Sequence, residues 1–312
     1  MRILIACDKF KGSLSATAAC EALRDGLREA GSSDELLVCP IADGGEGFTE
    51  SMVTALQGEW RTCESYDALH NPVEARYGML RNAAGELEAV MEMAEASGLR
   101  RIPQESRNVL HSSTFGTGSM IRDAVSQGAQ RILLGIGGSA TNDGGVGMLA
   151  ALGVRLLDVE GGELDPVPAS LMHLAEVDTS GLIDLPPIEV ACDVENPLLG
   201  SNGASAVYGP QKGADEEAAG FLEGALTRLV EVTGRTDSAE VPGAGAAGGL
   251  GFGLVAFAGA RLRNGFNMVA DALGLTMQVA HADFVPFFLR RDPRRDVEPR
   301  RAVGAHGPLR AR

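Results

Sequence analysis

The run ILLGIGGSATNDGG, residues 132–145, carries five glycines in the eleven positions after its apolar start, with Ser139, Thr141, Asn142 and Asp143 set between them. Glycines let backbone amides approach a ligand closely, and hydroxyls beside one carboxylate suit a phosphate or a hydrated metal ion. The same ingredients recur after other apolar runs. Asp8, Lys11 and Ser13 follow RILIA, and Asp43 and Glu46 flank the glycines of ADGGEG. Ser112, Thr114, Gly116 and Thr117 form a hydroxyl-rich turn at a helix start, and Asp193 and Lys212 bracket a further turn. Phosphoryl transfer requires these parts: amides and cations around the phosphates, carboxylates for Mg²⁺, and a base for the attacking hydroxyl. Any one such turn is ordinary loop chemistry. Their repetition after strand upon strand is the informative signal.

Two other chemistries compete for these residues. Gly135-x-Gly137-x-x-Ala140, between a strand and a helix, satisfies the dinucleotide fingerprint, with Asp158 about 20 residues on, where a ribose-binding acid would stand. Against a nicotinamide-dependent oxidoreductase, Gly144 and Gly145 occupy what should be the first helical turn, at about 1 kcal/mol each. The loop is longer than a Rossmann turn. G-x-x-x-x-G-K-[ST] occurs nowhere, which removes the P-loop class. Only three of the 27 basic residues are lysines, Lys9, Lys11 and Lys212, so each marks a place where an arginine fork does not substitute for a compact ammonium. His70, His111, His173, His281 and His306 show no metal-ligand spacing.

The elements that must hold these loops follow from the apolar pattern. RILIA and LLVCP (36–40) read as strands buried on both faces, separated by a helix from about Ser15 to Ala30 and followed by one from Phe48 to Leu56. Polar, glycine-bearing loops at the carboxyl ends of such strands are where open α/β sheets bind ligands. Further strands are expected at 74–80, 86–93, RILLGIG, VRLLD and IEVAC, and helices after SSTFGTG, at GGVGMLAALG and through FLEGALTRLVEVT. The uncharged stretch 241–260 holds seven glycines and reads as a close-packed internal segment rather than a membrane span.

Composition narrows the partners. A net charge of -15 argues against nucleic acid and anionic membrane surfaces. Five cysteines without C-x-x-C spacing, and no export signal, fit buried thiols in a cytoplasmic protein. A length of 312 residues suits two domains.

The motifs DKFKGSLSA, PIADGGEG, MEMAEASGL, STFGTGSMI, ILLGIGGSATNDGGVGMLAALG, ACDVENPLLGSNGAS, YGPQKGA and PGAGAAGGLG resemble, in the same order, those of the bacterial type-1 glycerate kinases, over residues 1 to about 283. The resemblance implies ATP-dependent phosphorylation of D-glycerate, usually at the 2-hydroxyl, with Mg²⁺. It also implies two α/β domains, one flavodoxin-like and discontinuous, the other larger and mixed. The expected division is 1–64 with 283–312, and 65–282. Within it, Asp193, Lys11, Lys212 and Asp8 are the expected catalytic residues and Asp43, Glu46 and Asp143 the expected metal ligands. Ser13, Ser112, Thr114, Gly116, Thr117, Gly137, Gly138, Ser139, Thr141, Asn142, Gly144 and Gly145 are expected around ATP.

From Phe284 the chain departs from the family pattern. Its last 29 residues hold eight arginines against three acids and lack helical or strand periodicity. An altered or truncated C-terminal part is expected to leave β edges open to self-association and to impair the enzyme, in the extreme leaving an inactive glycerate-kinase-like remnant.

Overall fold

The strands RILI and ELLV form β1 (Arg2–Ile5) and β2 (Glu35–Val38), paired in parallel with Ile3 opposite Leu36. Their crossover is α1 (Ala16–Glu29), whose N-cap Ser15 accepts a hydrogen bond from the Ala18 amide, as Ser/Thr caps do. The glycine loop after β2 leads into α2 (Phe48–Ala55). The structure, a computed structural model, describes residues 1–10, 13–42, 44–82 and 84–286. Lys11, Asp43 and the arginine-rich end from residue 287 lie outside the described residues.

The remaining strands are β3 (Glu59–Tyr66), β4 (Pro72–Arg81), β5 (Leu87–Glu92), β6 (Arg131–Gly135), β7 (Arg155–Leu157), β8 (Glu176–Asp178), β9 (Ile188–Ala191) and β10 (Arg261–Arg263). Six of them form one mixed sheet in the order β10-β9-β6-β5-β4-β3. The first four run parallel, and β4 and β3 are added antiparallel. β7 and β8 make a separate antiparallel pair. The helices are α3 (Ala94–Ser97), α4 (Phe115–Ser126), α5 (Val146–Ala151), α6 (Ala204–Tyr208), α7 (Glu216–Thr233), α8 (Thr236–Ala239), α9 (Ala246–Ala258), α10 (Gly265–Ala272) and α11 (Leu275–His281).

The fold is α/β with a small parallel sheet and a larger mixed one, as expected. Residue 64, the expected boundary, falls inside β3, which pairs with β4 from Glu59 to Tyr66, so the chain enters the larger sheet at Glu59. The two layers share a core: Leu4, Phe48 and Met52 pack with Val90 and Leu133 of the large sheet and with Met268 and Val269 of α10. The other face of the large sheet is covered by α4, α5 and α9, with Met120, Leu149 and Leu250 buried in one cluster. α4 and α5 approach closely because both are notched: a Cβ on Gly147 would lie 2.6 Å from the Thr114 and Phe115 amides. The stretch 241–260 is internal, as its composition suggests. Leu250, Phe252 and Leu254 of α9 are fully buried, and no helix among the described residues is long and apolar enough to cross a membrane.

Next to β1, Leu4 donates its amide to the Phe284 carbonyl, and Ile3 and Phe284 form a parallel bridge. One edge of β1 is therefore met by the chain just past residue 282. Cys7, Cys20, Cys39 and Cys63 are buried free thiols and Cys192 is half-buried.

Candidate active site

The loop after β6 is held in place from several sides. Leu99 donates to the Gly138 carbonyl, Ala140 to Ser97, and Gly144 to Gly248. Gly138, Gly144 and Gly145 adopt φ of 72°, 65° and 83°, conformations that L side chains rarely reach. The helix that follows begins only at Val146, so this is not a Rossmann turn. Asp158 caps its own turn, accepting from the Glu160 and Gly162 amides, and β7 does not join the large sheet. The dinucleotide expectation fails on both counts.

Asp143 lies inside the loop with no exposure. Its Oδ2 accepts from the Thr114 amide at 2.7 Å, the Thr114 hydroxyl at 2.8 Å and the Gly147 amide at 3.1 Å, and its Oδ1 accepts from the Gly145 amide at 3.1 Å. The carboxylate thus joins the starts of α4 and α5, where unpaired N–H groups favour an anion. The anion that the Ser112–Thr117 turn attracts is the protein's own. Ser112 donates to Val109, Thr117 to Ser97, and Gly116 packs where a Cβ would lie 1.9 Å from the Tyr66 carbonyl. Burial pushes the Asp143 carboxyl up from its ordinary range, against those four donors.

Lys212 is equally buried, and its Nζ donates to the Thr141 carbonyl at 2.6 Å. Burial pushes its ammonium down to about 7, and Asp143 opposes the shift. Asn142 donates to the Ser205 hydroxyl. Lys212, Thr141, Asn142, Asp143, Gly144 and Gly145 therefore brace the loop from within, and none of them lines either of the two cavities at the strand ends.

Two cavities open at the carboxyl ends of the strands. The first, of 370 Å³, is charged: Asp8, Glu46, Glu50, Glu92 and Glu95 face Lys9, Arg76 and Arg100, with Ser13 and Trp60 in the wall. The Arg76 guanidinium lies 4.5 Å over the Trp60 ring, Arg100 pairs with Glu46, and the Lys9 ammonium donates to the Glu46 carbonyl at 3.0 Å. The second, of 310 Å³, is lined by Gly44, Gly45, Gly137, Gly138, Ser139, Asp193, Tyr208 and Gln211, with apolar contact from Leu99, Ile136 and Ala247. Asp193 Oδ1 accepts from the Gly265 amide at 2.9 Å and from Asn264. One loop, Gly44 to Gly47, supplies a wall to each cavity.

Of the residues singled out in the sequence, the structure brings Asp8, Ser13 and Glu46 to the charged cavity and Gly137, Gly138, Ser139 and Asp193 to the glycine-walled one. Sequence reasoning missed Glu92, Arg76, Arg100 and Ala247. Glu92 had a signal, an acid closing the apolar run Ala89, Val90 and Met91. Ala247 has φ 54° inside a left-handed stretch that continues through Gly248 and Gly249.

Paired ligand-sized cavities at the carboxyl edge of a parallel sheet, divided by a glycine loop, define an α/β enzyme of small molecules. Comparison with known proteins narrows the class. The model of the glycerate kinase family matches residues 3–286. A glycerate kinase of Halalkalibacterium halodurans is 45% identical over 290 residues, covering 91% of this chain and 75% of that protein. A glycerate 2-kinase of Escherichia coli is 44% identical over 281 residues, covering 88% and 73%. A crystal structure assigned to glycerate kinase 2 of Salmonella typhimurium LT2 superposes with a TM-score of 0.85 at 46% identity, covering 91% of this chain and 77% of that one. The chain belongs to the glycerate kinase family.

Proposed function

We propose that the protein transfers the γ-phosphoryl group of ATP to the 2-hydroxyl of D-glycerate, giving 2-phosphoglycerate. The observation that carries this reading is the pair of cavities sharing the Gly44–Gly47 loop, since a kinase must hold donor and acceptor side by side. The glycerate 2-kinase of Escherichia coli supports the choice of hydroxyl. Asp193 is our assignment for orienting or deprotonating that hydroxyl, with Asp8 second. The Gly137–Ser139 amides and the cations Lys9, Arg76 and Arg100 are suited to phosphate and carboxylate oxygens. Lys11 and Asp43 keep the roles expected from the sequence, cation and metal ligand. Lys212 and Asp143 act through the loop they brace.

Mg²⁺ fits the donor set. Among the described residues no three metal-ligating side chains cluster, but Mg²⁺ held mainly by nucleotide phosphates needs only one or two carboxylates and keeps several waters. Asp8 and Glu46 in the charged cavity are the described residues that would hold it. Once bound, it would neutralise charge on the transferring phosphoryl group. The chain's own residues orient the hydroxy acid, exclude water and receive the hydroxyl proton. Buried thiols at Cys7, Cys20, Cys39 and Cys63 support a reducing, cytoplasmic setting.

The test mixes protein, ATP, Mg²⁺ and D-glycerate with enolase and no mutase. Immediate phosphoenolpyruvate is expected. ADP release without phosphoenolpyruvate would move transfer to the 3-hydroxyl, and absence of ADP release would overturn the reading.

A further inference from the structure

Glu92 ends β5 and is 8% exposed, yet it meets a different layer of the molecule. Its Oε1 accepts from the Thr49 amide at 2.9 Å and its Oε2 from the Gly47 amide at 3.3 Å. Those N–H groups open α2, whose N-cap Gly47 has φ 88° and no side chain to cap the helix. A carboxylate from the large sheet therefore does the capping, where the helix dipole favours negative charge. The other end of the loop is fixed by close backbone approach. A Cβ on Gly44 would lie 2.7 Å from the Ala191 Cβ and 2.9 Å from the Gly265 Cα, and one on Gly135 would lie 2.9 Å from the Gly44 carbonyl. The loop is clamped at both ends, by glycine contacts at one and by the Glu92 carboxylate on two amides at the other, with the Lys9 ammonium on the Glu46 carbonyl between them.

We propose that Glu92 is a positioning residue for phosphoryl transfer: its carboxylate anchors the Gly44–Gly47 wall between the two cavities and so sets the approach of donor to acceptor. The inference rests on the kinase reading above. Each carboxylate oxygen accepts one backbone amide, so the group is oriented by the start of α2 while it borders the charged cavity. Burial pushes its carboxyl up, but the two amides hold it in one orientation.

The experiment compares Glu92→Gln and Glu92→Ala with the parent protein by steady-state kinetics and amide hydrogen exchange. The amide variant keeps an acceptor for Thr49 and turns an NH₂ toward Gly47; the alanine variant keeps neither. Expected are kcat losses of about 100-fold for alanine and roughly 10-fold or less for glutamine, since displacing a reacting group by an ångström costs about that much. KM for ATP and glycerate should change less than kcat. Faster exchange should be confined to Gly47, Thr49 and the first turn of α2. Equal kcat losses in both variants, with loss of the acid limb of the pH–rate profile, would make Glu92 a proton-transfer group and overturn the proposal. Unaltered exchange at Gly47 and Thr49 in the alanine variant would overturn the anchoring, whatever the activity. An inactive parent would instead defeat the kinase reading, and with it the catalytic half of the inference, while exchange still decides the anchoring half.

Discussion

Replacing Asp143 tests whether the acid of the ATNDGG loop braces that loop or binds metal. In Asp143→Ala three backbone amides, Thr114, Gly145 and Gly147, lose their acceptor in a fully buried setting. An unsatisfied buried donor costs roughly 1–3 kcal/mol. Removing the carboxylate also relieves the desolvation that raises its pKa, so a net loss of about 3 kcal/mol is expected. Asp143→Asn can keep its oxygen at the Oδ2 position, satisfying the Thr114 and Gly147 donors, and loses only the Gly145 contact and the charge. Its loss should be about 1–2 kcal/mol. Urea unfolding followed by circular dichroism reads both, as a shift of the midpoint at constant slope. The expected order of stability is parent, asparagine, alanine. An alanine variant within about 0.5 kcal/mol of the parent would refute the bracing role. An asparagine variant of parental stability, but without activity at any Mg²⁺ concentration, would return Asp143 to the metal.

Other outcomes follow from the same geometry. Lys212 is pushed down to about 7 in the folded protein against an ordinary value of 10.5, so above pH 7 the unfolded chain binds more protons and stability rises with pH until the unfolded lysine titrates. The parent should therefore gain at least about 1 kcal/mol over Lys212→Met between pH 7 and 9; a constant difference in urea unfolding would contradict a buried, depressed ammonium. Gly147→Ala drives a Cβ to within 2.6 Å of two backbone amides, whereas Gly31→Ala meets nothing within 4 Å and strains only its φ of 85°. Thermal melts should show a loss above about 3 kcal/mol for the first and about 1–2 kcal/mol for the second, and equal shifts would mean that the α4–α5 notch is not tight. Gly44→Ala, which meets Ala191 and the Gly265 backbone, should keep its circular dichroism and lower kcat at least about 10-fold.

Much of this fold is local enough to read from the chain. RILIA and LLVCP announce parallel strands, of which only the first is buried while Glu35–Val38 is exposed to half-buried, the helix expected from about Ser15 begins at Ala16, and the glycines of 241–260 fit an internal helix. β3 was hidden because EWRTCESY exposes all but Cys63 and Ser65 and so lacks an apolar stripe. The cavity residues split along the same line. Gly137 to Ser139 lie in a loop whose composition declares it, while Glu92 reaches α2 across more than 40 positions and Lys212 reaches Thr141 across 71. No periodicity encodes such partners. Composition alone also could not show that the hydroxyls of Ser112, Thr114 and Thr117 are spent on protein groups.

Hydroxyls and amides already engaged by protein groups constrain where an anion can bind. Helix N-termini are the usual phosphate sites of α/β proteins. Here the starts of α4 and α5 hold Asp143, that of α2 holds Glu92, and the Gly265 amide opening α10 holds Asp193. Each carboxylate offsets the partial positive charge of its helix, so these termini stabilise the loops instead of attracting ligand. In the proposed reaction, anion recognition in a chain of net charge -15 then falls to the Gly137–Ser139 backbone at the second cavity and to Lys9, Arg76 and Arg100 at the first. In such an arrangement Asp143 and Glu92 fix loop geometry while the cations supply charge, which makes loop shape and anion affinity separable by substitution.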